Sequence, residues 1–133
     1  MLITRRRMVL TSLGLLAAIQ MPQAAEAWKV LGQKKVSLGV DRDVIRVAPW
    51  TGRIDKIKIL VLLNDIEMLD LAVVYGNGRR DDIPVRRIIR KNTETAPLDL
   101  RGEGRNIERV EMIYRKNPTK PLPAIVTVLG RVA

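Results

Sequence analysis

The chain has 133 residues with 24 Lys and Arg against 14 Asp and Glu, a formal net charge of +10, and contains no His and no Cys. The missing residue types exclude Ser-His-Asp and Cys-His catalysis, disulfide staples and the usual ligand sets for zinc, copper and haem. Stability must then come from a core, for which 47% hydrophobic residues are available although only 3% are aromatic.

Residues 1–27 read as an export leader. Arg5, Arg6 and Arg7 form a basic head, and Met8 to Ile19 is an apolar run interrupted only by Thr11, Ser12 and Gly14. Ala25-Glu26-Ala27 offers small residues at both positions that a signal peptidase reads, so cleavage is expected before Trp28. The run falls short of the ~20 residues that span a bilayer, which argues against a retained anchor. Thr4-Arg5-Arg6-Arg7-Met8-Val9 fits a twin-arginine signal, and an ordinary secretory leader with three arginines fits it equally. Either route predicts a periplasmic or secreted bacterial protein. The remaining segment, 28–133, has 106 residues, a size that suits one domain, and carries 21 cations against 13 anions, or +8. Ile, Leu and Val make up 35 of those 106 residues. At ~1.5–3 kcal/mol per fully buried side chain, they can oppose the chain entropy of a small domain.

β-Branched residues dominate this segment and helix formers are scarce. An opening strand is expected over Lys29 to Leu38, then Val44 to Val47, ending at Ala48-Pro49. Arg53 to Leu63 alternates, with Ile57, Ile59, Val61 and Leu63 on one face and Lys56 and Lys58 on the other. After the turn at Asn64-Asp65, Ile66 to Tyr75 forms the next strand, with Leu69, Leu71, Val73 and Tyr75 in register. Asn77-Gly78 signals a tight hairpin, because both residues tolerate positive φ. Ile83 to Ile89 follows, with Pro84 marking an edge or a strand start. Leu98 to Leu100 is a brief strand before the turn Arg101-Gly102-Glu103-Gly104. Ile107 to Tyr114 carries Val110, Met112 and Tyr114 inward, and Ala124 to Val132 closes the chain after Pro121-Leu122-Pro123. About eight short strands with turn residues between them predict an all-β fold, an antiparallel sandwich of jelly-roll type.

The cations concentrate. Arg79, Arg80, Arg86, Arg87, Arg90 and Lys91 lie around one hairpin, and Arg101, Arg105, Arg109, Arg115 and Lys116 around the next. Forked guanidinium groups suit phosphate and carboxylate oxygens, so Arg79, Arg80, Arg86, Arg87, Arg90, Arg101 and Arg105 are the candidate anion-binding residues. The plainer reading is a solvated basic face whose carboxylate neighbours keep sheet edges apart. Arg87 breaks the alternation, through a bulge or through pairing at the core edge. Asp41, Asp43 and the pair Asp81-Asp82 are oxygen donors that could hold calcium, but without the spacing of an EF-hand loop. Asp81-Asp82 neutralising nearby arginines accounts for that pair more simply. Ser37 is the sole serine after the leader and has no evident base beside it. A carboxylate pair drawn from Asp41, Asp43, Asp55, Asp65, Glu67, Asp70, Asp81, Asp82 and Asp99 keeps glycan hydrolysis open. Trp28 and Trp50 are expected to pack over the mouth of a core that lacks Phe. Aromatics are too few among the basic strands for nucleic-acid binding. No cofactor, metal or catalytic residue is expected.

Trp28-Lys29-Val30-Leu31-Gly32, Tyr75-Gly76-Asn77-Gly78, Leu98-Asp99-Leu100-Arg101-Gly102, Arg105-Asn106-Ile107 and Tyr114 together resemble a family of small exported bacterial proteins of the YaaI-like type. The resemblance implies a periplasmic domain of unassigned function with no catalytic residues to carry over. The reading that joins these observations is a non-catalytic exported protein that binds anionic lipid, lipopolysaccharide phosphate or acidic glycan through its arginines. The alternatives are a protein-interaction module, which would pair an exposed sheet edge with another chain, and a carboxylate-dependent glycan hydrolase.

Overall fold

The computed structural model describes residues 28–37, 39–101 and 105–133. The leader expected at 1–27 and the glycine turn at 102–104 lie outside the described residues. The described residues form ten strands: β1 (Trp28–Val36), β2 (Val40–Arg46), β3 (Arg53–Leu62), β4 (Ile66–Tyr75), β5 (Arg80–Asp82), β6 (Arg87–Ile89), β7 (Thr93–Glu94), β8 (Leu98–Asp99), β9 (Arg105–Lys116) and β10 (Ala124–Val132). All their pairings are antiparallel. Apart from one 3-10 turn at Pro49–Thr51, the described residues contain no helix. The fold is all-β and sandwich-like, as the alternation predicted.

The sheet has two halves. In one, β10 lies between β1 and β3, and β7, β8 and the first residues of β9 extend the far side of β3. In the other, β9 lies between β2 and β4, and β4 is extended by β5 and β6. The halves join where Arg105 and Asn106 pair with Ile54 and Arg53. Beyond that point β9 pairs with β4, starting at Ile107 opposite Tyr75. One core fills the space between the halves. Ile57, Ile59, Val61, Val126 and Val128 enter it from the first half, and Met68, Leu71, Val73, Val110, Met112 and Tyr114 from the second.

Strict alternation fails at four bulges, and each one inverts which residues face inward; on β1 the extra residue is Leu31, between Gly32 opposite Val128 and Val30 opposite Leu129. At Asp55 on β3 the register against β10 shifts, so that Ile54 and then Ile57, Ile59 and Val61 are all buried. On β4 Ile113 faces Asp70 and Tyr114 faces Met68, which leaves Leu69 as the extra residue. The core-facing set on β4 is therefore Ile66, Met68, Leu71, Val73 and Tyr75, with Ala72 and Val74 buried besides, and Leu69 is displaced from the inward row predicted for it. On β9 the extra residue is Glu108, between Ile107 and Val110, both buried. Leu63, expected inward, is instead an exposed turn residue with φ 74°. The strand expected over Ile83 to Ile89 is split, because only Arg80–Asp82 and Arg87–Ile89 pair with β4. Ile83, Val85 and Ile89 nonetheless point inward as expected.

Asn64, buried in the β3–β4 turn, ties one end of the sheet together. Its amide nitrogen donates to the carbonyls of Asn117 and Leu122, and its Oδ1 accepts the Asp65 amide. Where β1 approaches β2 the gap is closed by a missing side chain: a Cβ on Gly32 would come within 2.4 Å of Ile45 Cγ2. Gly32→Ala should therefore cost about 1–3 kcal/mol, seen as a lower urea midpoint at an unchanged slope.

Three carboxyls lie below their ordinary values. Asp55 is held down first by its hydrogen bonds from Arg131, Asp65 by the Lys91 amide, and Glu111 by Arg109 and then Arg80. Each binds protons more weakly folded than unfolded, so the stability it adds is present above the unfolded values of 3.8 to 4.5 and is lost as pH falls through the lowered folded ones. The thermal midpoint should hold from neutrality down to about pH 5 and then drop steadily toward about pH 2, measured by circular dichroism.

Candidate functional site

The hairpin joining β4 to β5 is the one predicted, with a different turn. The Gly78 amide donates to the Tyr75 carbonyl and the Tyr75 amide donates to the Arg79 carbonyl, closing a loop of three residues. Gly78 alone takes positive φ, at 86°, which matches a type I turn ending in a left-handed glycine. Asn77 contributes through its side chain instead, accepting the Arg79 amide on Oδ1. This geometry points Arg79 and Arg80 back along β5, beside the start of β9.

Arg79, Arg80, Arg101 and Arg105 line one cavity of about 200 Å³ together with Tyr75 and Asp81. Next to it is a more open cleft of about 460 Å³ that shares Tyr75 and Arg105 and adds Arg53, Gly76, Asn77 and Asn106. The two are neighbours because β9 begins there: the Gly76 amide donates to the Asn106 carbonyl, and Asn106 pairs with Arg53.

Asp81 anchors the cavity. Its neighbour Asp82 is exposed and accepts a hydrogen bond from Arg80 Nε, whereas the Asp81 side chain is only 3% exposed. The Tyr75 hydroxyl donates to Asp81 Oδ2 at 3.0 Å, and the Arg101 amide donates to the same oxygen at 2.7 Å. Oδ1 is buried and has no hydrogen-bond partner, with Arg101 Nε 3.6 Å away. The sequence reading of Asp81-Asp82 as neutralisers of nearby arginines thus holds for both residues. Strand alternation turns them to opposite sides, so they do not form a shared calcium site. Among the described residues no group of three or more carboxylates is placed to hold a metal ion.

The cations differ in how far they are committed. Arg80 sits between Asp82 and Glu111, and Arg109 pairs with Glu108 and Glu111. The hydrogen bonds that they donate to Glu111 raise Arg80 and Arg109 above the usual arginine value. Arg79 and Arg105 make no ion pair among the described residues, and the Arg101 side chain is 81% exposed. Arg86, Arg87 and Arg90 do not join this cluster. Arg87 and Arg90 line a separate cleft with Thr93 and Glu94. Arg90 also borders a cavity of about 230 Å³ with Arg115 and Lys116, and lies 3.6 Å from Asp65. Arg86 and Arg87 are both exposed, so Arg87 is not paired at the core edge.

Sequence reasoning grouped the arginines by hairpin; the fold groups them by sheet end. It missed Arg53, which opens β3 directly after Gly52, and it missed the burial of Asp81. The sequence signal for Asp81 was a carboxylate at the inward position of a short strand, six residues after Tyr75. The tryptophans also differ from expectation. Trp50 is 85% exposed on the Pro49–Thr51 turn, while Trp28 is half-buried with Lys58 Nζ 4.3 Å from its ring centroid. Removing the Tyr75 hydroxyl takes one of two donors from a buried carboxylate oxygen. Tyr75→Phe should lower stability by about 1–3 kcal/mol in denaturant unfolding.

The chain belongs to the family described as a domain of unknown function, DUF2541, whose model matches residues 8–130. This agrees with the coarse form of the sequence resemblance, a chain of unassigned function matched along nearly its whole length; it carries neither the narrower YaaI-like name nor export. No curated protein matches the chain. Among solved structures it is similar to AlgX of Pseudomonas aeruginosa, at 12% identity and TM-score 0.41, over 94% of this chain and 34% of that one. It is also similar to a chain of infectious bursal disease virus, Gx strain, at 8% identity and TM-score 0.37, over 82% of this chain and 36% of the other. The chain spans about a third of the length of these two. At such values neither likeness bears on function.

Proposed function

We propose that this DUF2541 member is a non-catalytic binding protein for an anionic ligand. The ligand sits in the cavity between the Gly76–Gly78 loop and the starts of β3 and β9. The observation that supports this reading is the convergence of Arg79, Arg101 and Arg105 on one cavity, while the carboxylates of the adjoining sheet face are taken up by Arg80 and Arg109. Guanidinium forks in such an arrangement offer paired hydrogen bonds to a phosphate or carboxylate. The Arg101 backbone is fixed by the bond from its own amide to Asp81, so part of the cost of ordering that residue is met before a ligand arrives. The leader read from residues 1–27 supports an extracytoplasmic setting. There, lipid headgroups, lipopolysaccharide phosphates and acidic glycans share the required oxyanion chemistry.

The test compares two double substitutions by calorimetry against phosphatidylglycerol vesicles and a glucuronate-containing oligosaccharide. Arg79→Ala with Arg105→Ala should weaken binding at least tenfold, and Arg86→Ala with Arg87→Ala should leave it unchanged. Wild-type affinity should also fall as salt rises, because screening shortens to about 8 Å at physiological ionic strength. Equal losses from both pairs would mean that charge acts diffusely and that the cavity is not the site.

A further inference from the structure

Resting on the anion-binding reading of the same cavity, we infer that its ligand is a hydroxylated acid, an acidic saccharide unit, and not a bare anion. The unusual group is Asp81 Oδ1. A carboxylate oxygen that is buried and lacks a hydrogen-bond partner is costly to hold, since desolvation of a charged group is recovered only through donors. Its neighbour Oδ2 already receives two donors, from the Tyr75 hydroxyl and the Arg101 amide, and these fix the carboxylate plane. Oδ1, with Arg101 Nε 3.6 Å away, is left without a hydrogen-bond donor on a residue that lines the cavity together with Arg79, Arg80, Arg101 and Arg105.

That pairing discriminates among ligands. A simple oxyanion gains from the arginines but offers nothing to Oδ1, and its own charge is repelled there. An ammonium group would satisfy Oδ1 but meets the guanidinium groups of Arg79, Arg101 and Arg105, which outnumber the carboxylate lining the cavity. A neutral hydroxyl avoids both penalties, donating to Oδ1 while an anionic group on the same molecule lies on Arg79 and Arg105. At about 200 Å³ the cavity is smaller than the ~300–1,000 Å³ typical of sites for drug-sized ligands, and so suits one ring of a larger chain that continues into the open cleft beside Arg53. Uronate and sugar phosphate meet the same requirement.

The experiment measures four acids against the protein: glucuronate and cyclohexanecarboxylate, then glucose 6-phosphate and cyclohexyl phosphate. Within each pair the charge and the six-membered ring match, and the hydroxyls are the only added groups that can donate to Oδ1. In the wild type the hydroxylated member of at least one pair should bind tenfold or more tighter, and the preferred pair separates uronate from sugar phosphate. Asp81→Asn keeps an oxygen for Tyr75 and Arg101 but turns the other position from acceptor to donor. It should erase most of that preference while the cyclohexyl acids bind at least as tightly, since a charge that repels them is removed. If all four acids bind and hydroxyls make no difference, this inference is overturned and the anion reading stands. A preference that survives Asp81→Asn at full size also overturns it, since another group would then be reading the hydroxyl. If none of the four binds, both readings fall. Circular dichroism establishes that the variant is folded; should it not fold, the wild-type comparison within each pair decides the matter.

Discussion

Strand β9 has to serve both halves of the sheet, and most of the molecule follows from how it does so. Its first two residues complete the ladder of β3, and the next ten run between β2 and β4. A buried strand cannot leave backbone donors and acceptors unmatched, so the change of partner has to be closed by other groups. The Gly76 amide bonds to the Asn106 carbonyl, and the Val47 amide to the carbonyl of the bulge residue Glu108. The bulge gives the extra twist that carries the strand from one half to the other and returns its apolar residues to the core. The same crossing brings Arg53, Arg105 and the Gly76–Gly78 loop to one end of the sheet, so the corner that closes the fold also assembles the cationic cavity.

The charges divide along similar lines. On the outer face of β9 and its neighbours, Arg46, Arg80 and Arg109 share Glu108, Glu111 and Asp82 in a continuous row. Exposed pairs of this kind contribute little stability individually, about 0–1 kcal/mol, and their main effect is to hold long side chains in place. Asp55 with Arg131 is a two-pronged pair across the β3 bulge, and it supports an otherwise irregular pairing. At the hairpin end the balance differs: the buried carboxylate Asp81 spends one oxygen on local structure, and among the described residues the cationic groups lining its cavity outnumber it. That local imbalance, rather than the net charge of the chain, distinguishes this end from the rest of the surface.

The core is almost wholly aliphatic and its few polar members are tightly assigned. Tyr114 is buried with its hydroxyl donating to Asp43 at 2.7 Å, and burial followed by that bond raises its pKa well above the ordinary tyrosine value. Thr95 and Thr127 are buried with partners in Ile59 and Gln33. Asn64 spends its side chain on three backbone groups. Against this background Asp81 Oδ1 is the buried side-chain atom among the described residues that lacks a hydrogen-bond partner.

Composition and alternation determined the strand content, the aliphatic character of the core, the Gly76–Gly78 hairpin and the limits of Ile66–Tyr75 and Ala124–Val132. These are local properties, because β-branched side chains and turn residues act through their own backbone and nearest neighbours. Only the tertiary structure decided the bulges at Leu31, Asp55, Leu69 and Glu108, since an extra residue is set by the register of the partner strand and not by its own chemistry. Leu69 illustrates this: nothing in its side chain separates it from Leu71, yet one faces the core and the other does not. The grouping of Arg79 with Arg101 and Arg105, and the parting of all three from Arg86 and Arg87, came from which strand ends lie side by side. Neighbours across a sheet are fixed by pairing order, which a linear sequence does not carry.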